Sequence, residues 1–255
     1  MELFLKLLRA GCFSYNDVVK LTGNKKTADS FLLRYKSKGL IVSVKKNLYA
    51  AINPETMAAA ATSFEIASCI NEHSYVSHHS AFTYYGMANQ VSTKLYVSSP
   101  ARFNNFEFNG TAYVYVHQNI NSGIVSPTPR VRITDLERTI LDSIKDFTKI
   151  GGLEELLRCL LMVTFVDEVK LLDYLPEYKN QFLYQKTGYI LSHYREEIKL
   201  SSEFFEKCRK NIGQSKRYLY PELKEDKSGS YSSEWGLCVP SDLLRVIDEG
   251  GDENV

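Results

Sequence analysis

Residues 14–52 have the sequence SYNDVVKLTGNKKTADSFLLRYKSKGLIVSVKKNLYAAI, which predicts two helices followed by a β-hairpin. Ser14, with Asp17 three residues later, resembles a capping box and marks the start of the first helix, although the usual third residue is Glu or Gln. Gly23 suits a left-handed turn and Asn24 suits an N-cap, so these residues separate the two helices. This order of elements is typical of a helix-turn-helix.

The second of these helices is expected over residues 25–38, with Gly39 as its C-terminal stop. Helical spacing places one set of largely apolar residues on a single face: Ala28, Phe31, Leu32 and Tyr35. The opposite side of the first two turns is small, polar or basic, and such side chains can enter a major groove. The residues predicted to contact DNA from this helix and its cap are Asn24, Lys25, Lys26, Thr27, Ser30 and Arg34.

Two β-rich runs follow, residues 40–44 and 48–52, on either side of the basic tip Lys45-Lys46-Asn47. Runs of this composition around a turn-forming tip predict a two-stranded wing. Lys45 and Lys46 would then contact the phosphate backbone or a minor groove. Together with a short first helix ending at Gly11, these elements predict a winged helix-turn-helix DNA-binding domain over residues 1–53.

The positive charge of the chain is concentrated in the same segment. The first 52 residues contain ten Lys or Arg against three Asp or Glu, whereas the remaining 203 residues contain 21 against 27. Positive charge gathered at one end is typical of a protein that binds nucleic acid. A winged helix used only for protein contacts would have the same elements, so this alternative stays open.

The composition is that of an ordinary globular protein, with 44% hydrophobic and 24% charged residues in a chain of 255. The five cysteines are scattered and include no Cys-x-x-Cys pair, which indicates reduced thiols in a cytoplasmic protein. The most apolar run, residues 160–166, is far shorter than the ~20 residues that a membrane-spanning helix needs. The acidic, glycine-rich tail, residues 248–255, is expected to fray.

A linker is predicted over residues 54–62, because Pro54 restricts its own backbone and that of Asn53. Within it, a short alanine-rich helix is expected over residues 55–61. Residues 63–255 form the predicted second domain, with its strands mostly early and its helices mostly late. In this domain Asn109-Gly110 predicts a β-hairpin, and a short helix is expected over residues 81–85. The chain is therefore predicted to be α+β, with a winged helix-turn-helix domain followed by a larger mixed α+β domain.

Two adjacent histidines, His78 and His79, are candidates for chemistry in this larger domain. Adjacent residues of a helix point about 100° apart, so the two rings would not converge on one metal ion. The spacing of a zinc-binding helix, His-Glu-x-x-His, is absent. A structural role is therefore expected for this pair, and neither a metal ion nor a cofactor is predicted.

Asp135, Arg138 and Asp142 form a second candidate group, because their spacing places them on one face of a helix. Thr134 is expected to cap that helix, and carboxylates near its start are favourable. An arginine between two carboxylates is more typical of an internal salt-bridge network than of an acid/base pair. These residues are therefore expected to support structure.

Three Glu-x-Lys motifs keep an enzymatic alternative open, since nucleases of the PD-(D/E)xK type use acidic metal ligands and a lysine. The motifs are Glu168-Val169-Lys170, Glu197-Ile198-Lys199 and Glu222-Leu223-Lys224. The first two fall in segments predicted to be helical, and the third has no convincing upstream Asp partner. A DNA-targeted nuclease or modifying enzyme, with its active site in the larger domain, is therefore the alternative function.

A combination of motifs spread over nearly the whole chain resembles the AbiEi-type antitoxins, a family often described as transcriptional regulators of viral defence systems. The motifs are Tyr49-Ala50, Asn53-Pro54, residues 66–68, 75–81 and 134–142, Tyr85-Gly86, Gly151-Gly152, residues 184–189 and Trp235. The chain departs from the family pattern at the wing tip, where Lys46-Asn47 stands in place of a frequent Arg-Gly. The positive charge of the tip is nevertheless kept.

The resemblance implies an autorepressor that binds inverted repeats upstream of its own operon, with no enzymatic activity of its own. It also implies that residues 63–255 form an antitoxin domain acting in abortive infection, an antiviral defence. Its counterpart would be a nucleotidyltransferase-like toxin of a type IV toxin–antitoxin system, without a stable complex between the two. The candidate residues of this domain are His78, His79, Asp135, Arg138 and Asp142. A third alternative, a protein-interaction scaffold, would bind a neighbouring gene product and have negligible affinity for DNA.

Overall fold

The computed structural model describes residues 2–226, 229–241 and 243, and it has a mixed α+β fold. The chain divides by packing into two compact units, neither of which is one continuous segment. Unit 1 consists of Met1–Val76, Ser92–Gln118 and Ile124–Ile133, and unit 2 of Ser77–Val91, Asn119–Gly123 and Thr134–Val255. This division does not follow the expected boundaries at residues 53 and 63, because helix and strand residues beyond 63 pack with the N-terminal elements in unit 1.

Unit 1 begins with three helices and a small antiparallel sheet. Its elements are α1 (Glu2–Ala10), β1 (Cys12–Ser14), α2 (Tyr15–Thr22), α3 (Lys25–Ser37), β2 (Ile41–Lys45) and β3 (Leu48–Ala51). The strand order is β1-β3-β2, with both Phe13 and Ser43 paired with Tyr49. Strand β1 was not predicted, since its three residues are too short to show a pattern.

The predicted helix ends are confirmed. The Ser14 hydroxyl accepts a hydrogen bond from the Asp17 backbone N–H at 3.2 Å, and the Asp17 carboxylate accepts one from the Ser14 N–H at 2.8 Å, which completes the capping box. Gly23 has a φ of 83°, and the Asn24 side chain accepts from the Thr27 N–H at 2.8 Å. Because these contacts are local, they are readable from spacing alone.

The predicted inward face of α3 is also confirmed. Ala28, Phe31 and Leu32 are buried, and the half-buried Tyr35 stacks on Phe31 with the ring centres 4.3 Å apart. Tyr35 also stacks on Phe4 of α1, with 5.2 Å between the ring centres. This packing holds α3 with its opposite face directed outward.

The helix expected over residues 55–61 is not formed. Instead, the Asn53 side chain accepts from the Glu55 N–H at 2.9 Å, and the Asn53 carbonyl accepts from the Met57 N–H at 2.8 Å. Met57 has a φ of 55°, and Ile52 forms an antiparallel bridge with Ala59. The expectation was wrong because the asparagine side chain favours a turn, which outweighs the helix propensity of the alanines.

The rest of unit 1 is a six-stranded sheet and one helix. The elements are α4 (Ser63–Cys69), β4 (Tyr75–Val76), β5 (Lys94–Ser99), β6 (Phe106–Phe108), β7 (Thr111–His117), β8 (Ile124–Thr128) and β9 (Val131–Thr134), the last residue of which belongs to unit 2. The strand order is β6-β7-β5-β4-β9-β8, with β5 parallel to β7 and β4 parallel to β9. The hairpin predicted at Asn109-Gly110 is confirmed, with φ values of 48° and 74°.

Unit 2 is mainly helical. Its elements are α5 (His79–Tyr84), α6 (Leu136–Lys145), α7 (Leu153–Leu161), α8 (Glu168–Tyr174), α9 (Gln181–Ser192), α10 (Ser202–Lys210), β10 (Arg217–Tyr218), α11 (Glu222–Asp226), β11 (Ser230–Ser232) and β12 (Leu237–Val239). The strands form a sheet of order β10-β12-β11. Completely buried residues of α6, α7 and α9, such as Ile140, Leu156 and Ile190, form the centre of its core.

Two boundaries in unit 2 differ from the prediction. Asp135, not Thr134, caps α6, because the Asp135 carboxylate accepts from the Arg138 N–H at 2.9 Å while the Thr134 hydroxyl bonds to Thr139. Helix α5 begins at His79, two residues before the expected start. The tail predicted to fray, residues 248–255, lies outside the described residues. Within the part of the chain that the structure describes, no helix has the length and apolar character needed to cross a membrane.

Candidate functional site

The outward face of α3 in unit 1 carries the predicted DNA-contacting side chains. All six of them are exposed: Asn24, Lys25, Lys26, Thr27, Ser30 and Arg34. The first turn of α3 contains no acidic residue, so nothing there offsets the partial positive charge of the helix N-terminus. Asp29, the one carboxylate on this helix, accepts a hydrogen bond from the Tyr15 hydroxyl at 2.9 Å. The face therefore presents donors and positive charge to solvent.

The two lysines at the hairpin tip differ in their exposure to solvent. Lys46 is exposed beside Asn47, whose φ of 63° makes the turn. Lys45 is half-buried, and its Nζ lies 5.0 Å and 5.1 Å from the ring centres of Phe103 and Phe106. Burial lowers the pKa of the Lys45 ammonium. The equal role expected for the two lysines is thus not reflected in their positions, because only Lys46 extends freely from the tip.

The group Asp135, Arg138 and Asp142 is brought together in unit 2, as its spacing predicted. Arg138 is completely buried, and its Nε donates to an Asp142 oxygen at 2.8 Å. Its Nη1 donates to the carbonyls of Ile120, at 3.1 Å, and Ser122. The guanidinium is therefore surrounded by acceptors and is held in a fixed orientation.

Hydroxyls and an amine that sequence reasoning missed complete this network. The Tyr174 hydroxyl donates to Asp135 and the Tyr178 hydroxyl donates to Asp142, each at 2.8 Å, and Lys170 Nζ lies 3.4 Å from Asp135. Each of these groups lies more than 30 residues along the chain from the carboxylate that it contacts, so no local pattern could have indicated it. Since the carboxylates are engaged by several protein donors, the geometry fits the structural role expected for this group.

The two histidines have separate partners. His78 is buried with an unusual φ of 53°, and its Nδ1 lies 2.9 Å from the Ser77 hydroxyl. Burial lowers the pKa of His78 to about 4, so the ring is neutral at pH 7. His79 Nε2 lies 3.2 Å from Glu155 Oε1, and the same oxygen accepts the backbone N–H groups of Asn89 and Gln90 at 2.9 Å. The polar contacts of the two rings are thus to different groups.

The Glu-x-Lys motifs lie on helices in two of the three cases: Glu168–Lys170 on α8 and Glu222–Lys224 on α11. Among the described residues, no group of three or more His, Cys, Asp or Glu side chains could hold a metal ion.

Sequence reasoning also missed Lys186 of α9, which appeared only within a family motif. This lysine is 7% exposed and lines a pocket of about 450 Å³ in unit 2. Its Nζ lies 4.0 Å from the ring centre of Phe147 and 5.0 Å from that of Phe182. A lysine in an apolar helical stretch could have drawn attention to this position, because lysine is rarely buried.

No family model matches the chain, and no curated protein sequence matches it either. Its fold is similar to that in the crystal structure of the RV2827C protein from Mycobacterium tuberculosis, with a TM-score of 0.64. The match covers 98% of this chain and 94% of that chain, and the two sequences are 14% identical. At this identity the similarity shows a shared fold.

Proposed function

We propose that the chain is a DNA-binding transcriptional repressor that uses its N-terminal elements as a winged helix-turn-helix. The observation that supports this best is the outward face of α3, which is exposed, rich in donors and free of acid in its first turn. Gly23 and Asn24 separate α2 from α3 in the manner of a helix-turn-helix, and β2 and β3 form an adjoining hairpin with Lys46 at its tip.

The parts of this surface would have different roles. Lys25, Lys26 and Lys46, together with the α3 N-terminus, would contact phosphates, which position the protein without reading sequence. Ser30 and Arg34 lie further along the same face and would reach base edges in the major groove.

The resemblance to AbiEi-type antitoxins extends the proposal to the rest of the chain. On this basis the operator is an inverted repeat upstream of the chain's own operon, and residues 63–255 counteract a nucleotidyltransferase-like toxin. Asp135, Arg138 and Asp142 would then maintain the antitoxin domain, since they are held by hydrogen bonds within unit 2.

The first experiment is to titrate the full-length protein against its own upstream DNA and against a scrambled duplex over a range of salt concentrations. If Lys25, Lys26 and Lys46 each neutralise one phosphate, log Kobs should fall with log salt at a slope of about −2.7 for each protomer bound, and at about −4 to −5 if five phosphates are neutralised in all. Equal affinity for the two duplexes at every salt concentration would contradict the repressor proposal.

A second experiment separates positioning from reading. Ser30→Ala and Arg34→Ala should each change the preference among operator variants, with a loss of about 1–3 kcal/mol of discrimination at one base pair. Lys207→Ala, on the exposed face of α10, is the matched control and should leave binding unchanged. If both α3 variants keep the wild-type preference, this face does not read the operator.

The antitoxin part is tested by co-expression with the product of the adjacent gene. The wild type should restore the growth of cells that express the toxin. The double variant Lys26→Ala/Arg34→Ala should do the same, because its changes are expected to disable DNA binding but leave residues 63–255 intact. A wild type that gives no protection would overturn the antitoxin part and leave the repressor part standing.

A further inference from the structure

Unit 2 contains a pocket of about 450 Å³ that neither DNA binding nor the antitoxin-domain candidates use. This volume is within the range of ~300–1,000 Å³ that is usual for small-molecule sites. Much of its wall is apolar or aromatic, formed by Phe147, Leu153, Leu219, Tyr220 and Pro221. Such a wall suits a flat or branched organic body, which would leave water on entering the pocket.

Lys186 supplies a buried positive charge to this pocket. Its Nζ donates to the Ile144 carbonyl at 3.3 Å and lies over the Phe147 ring. Among the described residues, no carboxylate lies within 4.0 Å of this ammonium. A buried ammonium is costly unless it is paired, so this position is suited to an anion from outside the chain.

The two carboxylates that line the pocket do not supply that anion. Asp146 forms an ion pair with the Lys149 ammonium and accepts a hydrogen bond from the Thr148 hydroxyl at 2.6 Å. Burial raises the pKa of Asp146, but these hydrogen bonds outweigh it and bring the pKa to about 2. Glu222 is exposed. The charge of Asp146 is thus already balanced by Lys149, while that of Lys186 is not.

The start of α7 provides a second feature that favours an anion. This helix has nine residues, and both its N-cap, Gly152, and its first residue, Leu153, line the pocket. Glycine has no side chain, so the N-cap residue Gly152 cannot accept hydrogen bonds from the first backbone N–H groups of α7. Helix N-termini bind carboxylates and phosphates through such groups. The first turn of α7 also contains Glu154 and Glu155, but Glu154 pairs with Arg158, and Glu155 accepts hydrogen bonds from the backbone N–H groups of Asn89 and Gln90.

We propose that this pocket binds a small organic anion, with its carboxylate or phosphate on the Lys186 ammonium beside the α7 N-terminus and its apolar body against Phe147, Leu153 and Tyr220. The site goes beyond the proposed DNA-binding and antitoxin functions and does not depend on them. Lysine is suited to this role because it presents a point charge with three donors, of which the Ile144 carbonyl uses one.

The test uses the full-length protein and two fluorescent probes of similar shape. 1-Anilinonaphthalene-8-sulfonate has an aromatic body with an anionic group, and N-phenyl-1-naphthylamine has a similar body without charge. The wild type should bind the anionic probe saturably at one site. Lys186→Met, which keeps the side-chain length and removes the charge, should weaken anionic-probe binding at least tenfold while the neutral probe is affected much less.

Lys207→Met is the control for a lysine charge elsewhere in unit 2, and it should bind both probes as the wild type does. Competition by phenylacetate and by phenyl phosphate at millimolar concentration then shows which anionic group is preferred. Failure of both to displace the probe, or equal affinity of Lys186→Met and the wild type for the anionic probe, would overturn the proposal.

A measurement on the wild type keeps the test decisive if Lys186→Met does not fold. Burial lowers the pKa of Lys186 to about 8, with a smaller opposing contribution from Asp146. The affinity for the anionic probe should therefore fall at least tenfold as the pH rises well above 8, while that for the neutral probe stays constant. Parallel pH profiles for the two probes would also contradict the proposal.

Discussion

Arg138 Nε donates to Asp142 Oδ2 at 2.8 Å, and each of these side chains is only 1% exposed. The pair is stabilised by further groups, since the Tyr178 hydroxyl donates to Asp142 and Arg138 donates to the Ile120 carbonyl. A buried ion pair of this kind costs desolvation energy when it forms, and it leaves an uncompensated charge when one partner is removed.

Arg138→Leu should therefore lower the free energy of unfolding by about 3–5 kcal/mol. The double variant Arg138→Leu/Asp142→Leu should be less destabilised than this single variant, because it leaves no buried carboxylate alone. Urea denaturation monitored by tryptophan fluorescence measures both. Lys207→Leu, which removes one partner of the exposed pair with Glu203, should leave the midpoint unchanged. A cost for Arg138→Leu as small as that of the control would show that the network is not what stabilises unit 2.

The two lysines at the hairpin tip should respond differently to replacement. If the chain binds DNA as proposed, Lys46→Ala should weaken binding to all DNA sequences by a similar factor and make the salt slope shallower by about 0.9, because the proposed phosphate contact of Lys46 is lost. Lys45→Ala should change the slope less and should lower stability by about 1 kcal/mol, because the Lys45 ammonium leaves the rings of Phe103 and Phe106. Salt titrations and denaturation curves of both variants measure these effects. Equal changes in salt slope would mean that Lys45 leaves the rings when DNA binds.

The neutral His78 should make stability depend on pH. Burial lowers its pKa from 6.5 to about 4, although Asp142 and Asp146 act in the opposite direction. Because the folded pKa is below the unfolded one, this contribution is fully present above pH 6.5 and is lost as the pH falls towards 4. The shift corresponds to about 3 kcal/mol between these limits.

The measurement is the difference in free energy of unfolding between pH 7 and about pH 4, the folded pKa of His78, for the wild type and His78→Asn. Asparagine keeps a polar side chain at this position and does not titrate. The difference should be smaller in the variant by about 3 kcal/mol, whereas His73→Gln, at an exposed position, should keep the wild-type difference. Identical pH profiles for His78→Asn and the wild type would refute the role of His78.

Gly188 of α9 lies directly under the indole ring of Trp235, so a Cβ at this position would overlap the ring. Gly188→Ala should therefore cost about 1–3 kcal/mol in the wild type. With Trp235→Leu the overlap is removed, and the same change should become neutral or stabilising, because alanine is favoured over glycine in helices by about 1 kcal/mol. A double-mutant cycle by urea denaturation measures this coupling, and additive effects would contradict the packing described.

The features that the sequence predicted correctly are those determined by neighbours along the chain. The capping box of Ser14 and Asp17, the turn at Gly23 and the hairpin at Asn109-Gly110 each depend on a few consecutive residues. The buried face of α3 followed from helical period alone. Local chemistry and the final structure agree at these positions.

Several of the features that the sequence did not predict depend on contacts between distant residues. Strand β1 exists because it pairs with β3, which lies far along the chain. In the candidate sites, the hydroxyls of Tyr174 and Tyr178 and the pocket around Lys186 come from helices separated by tens of residues. The hydrophobic period of a segment gives no information on such long-range contacts, since it indicates which face is buried and not which residues pack against that face.

The chain passes from one compact unit to the other five times, after residues 76, 91, 118, 123 and 133. A single proteolytic cut or an early stop codon therefore cannot release either unit with all of its segments. Splitting the gene, or exchanging one unit between related proteins, would have to preserve all five points at which the chain crosses between the units. Any activity of unit 2 is thus inherited together with the surface that α3 presents, within one reading frame.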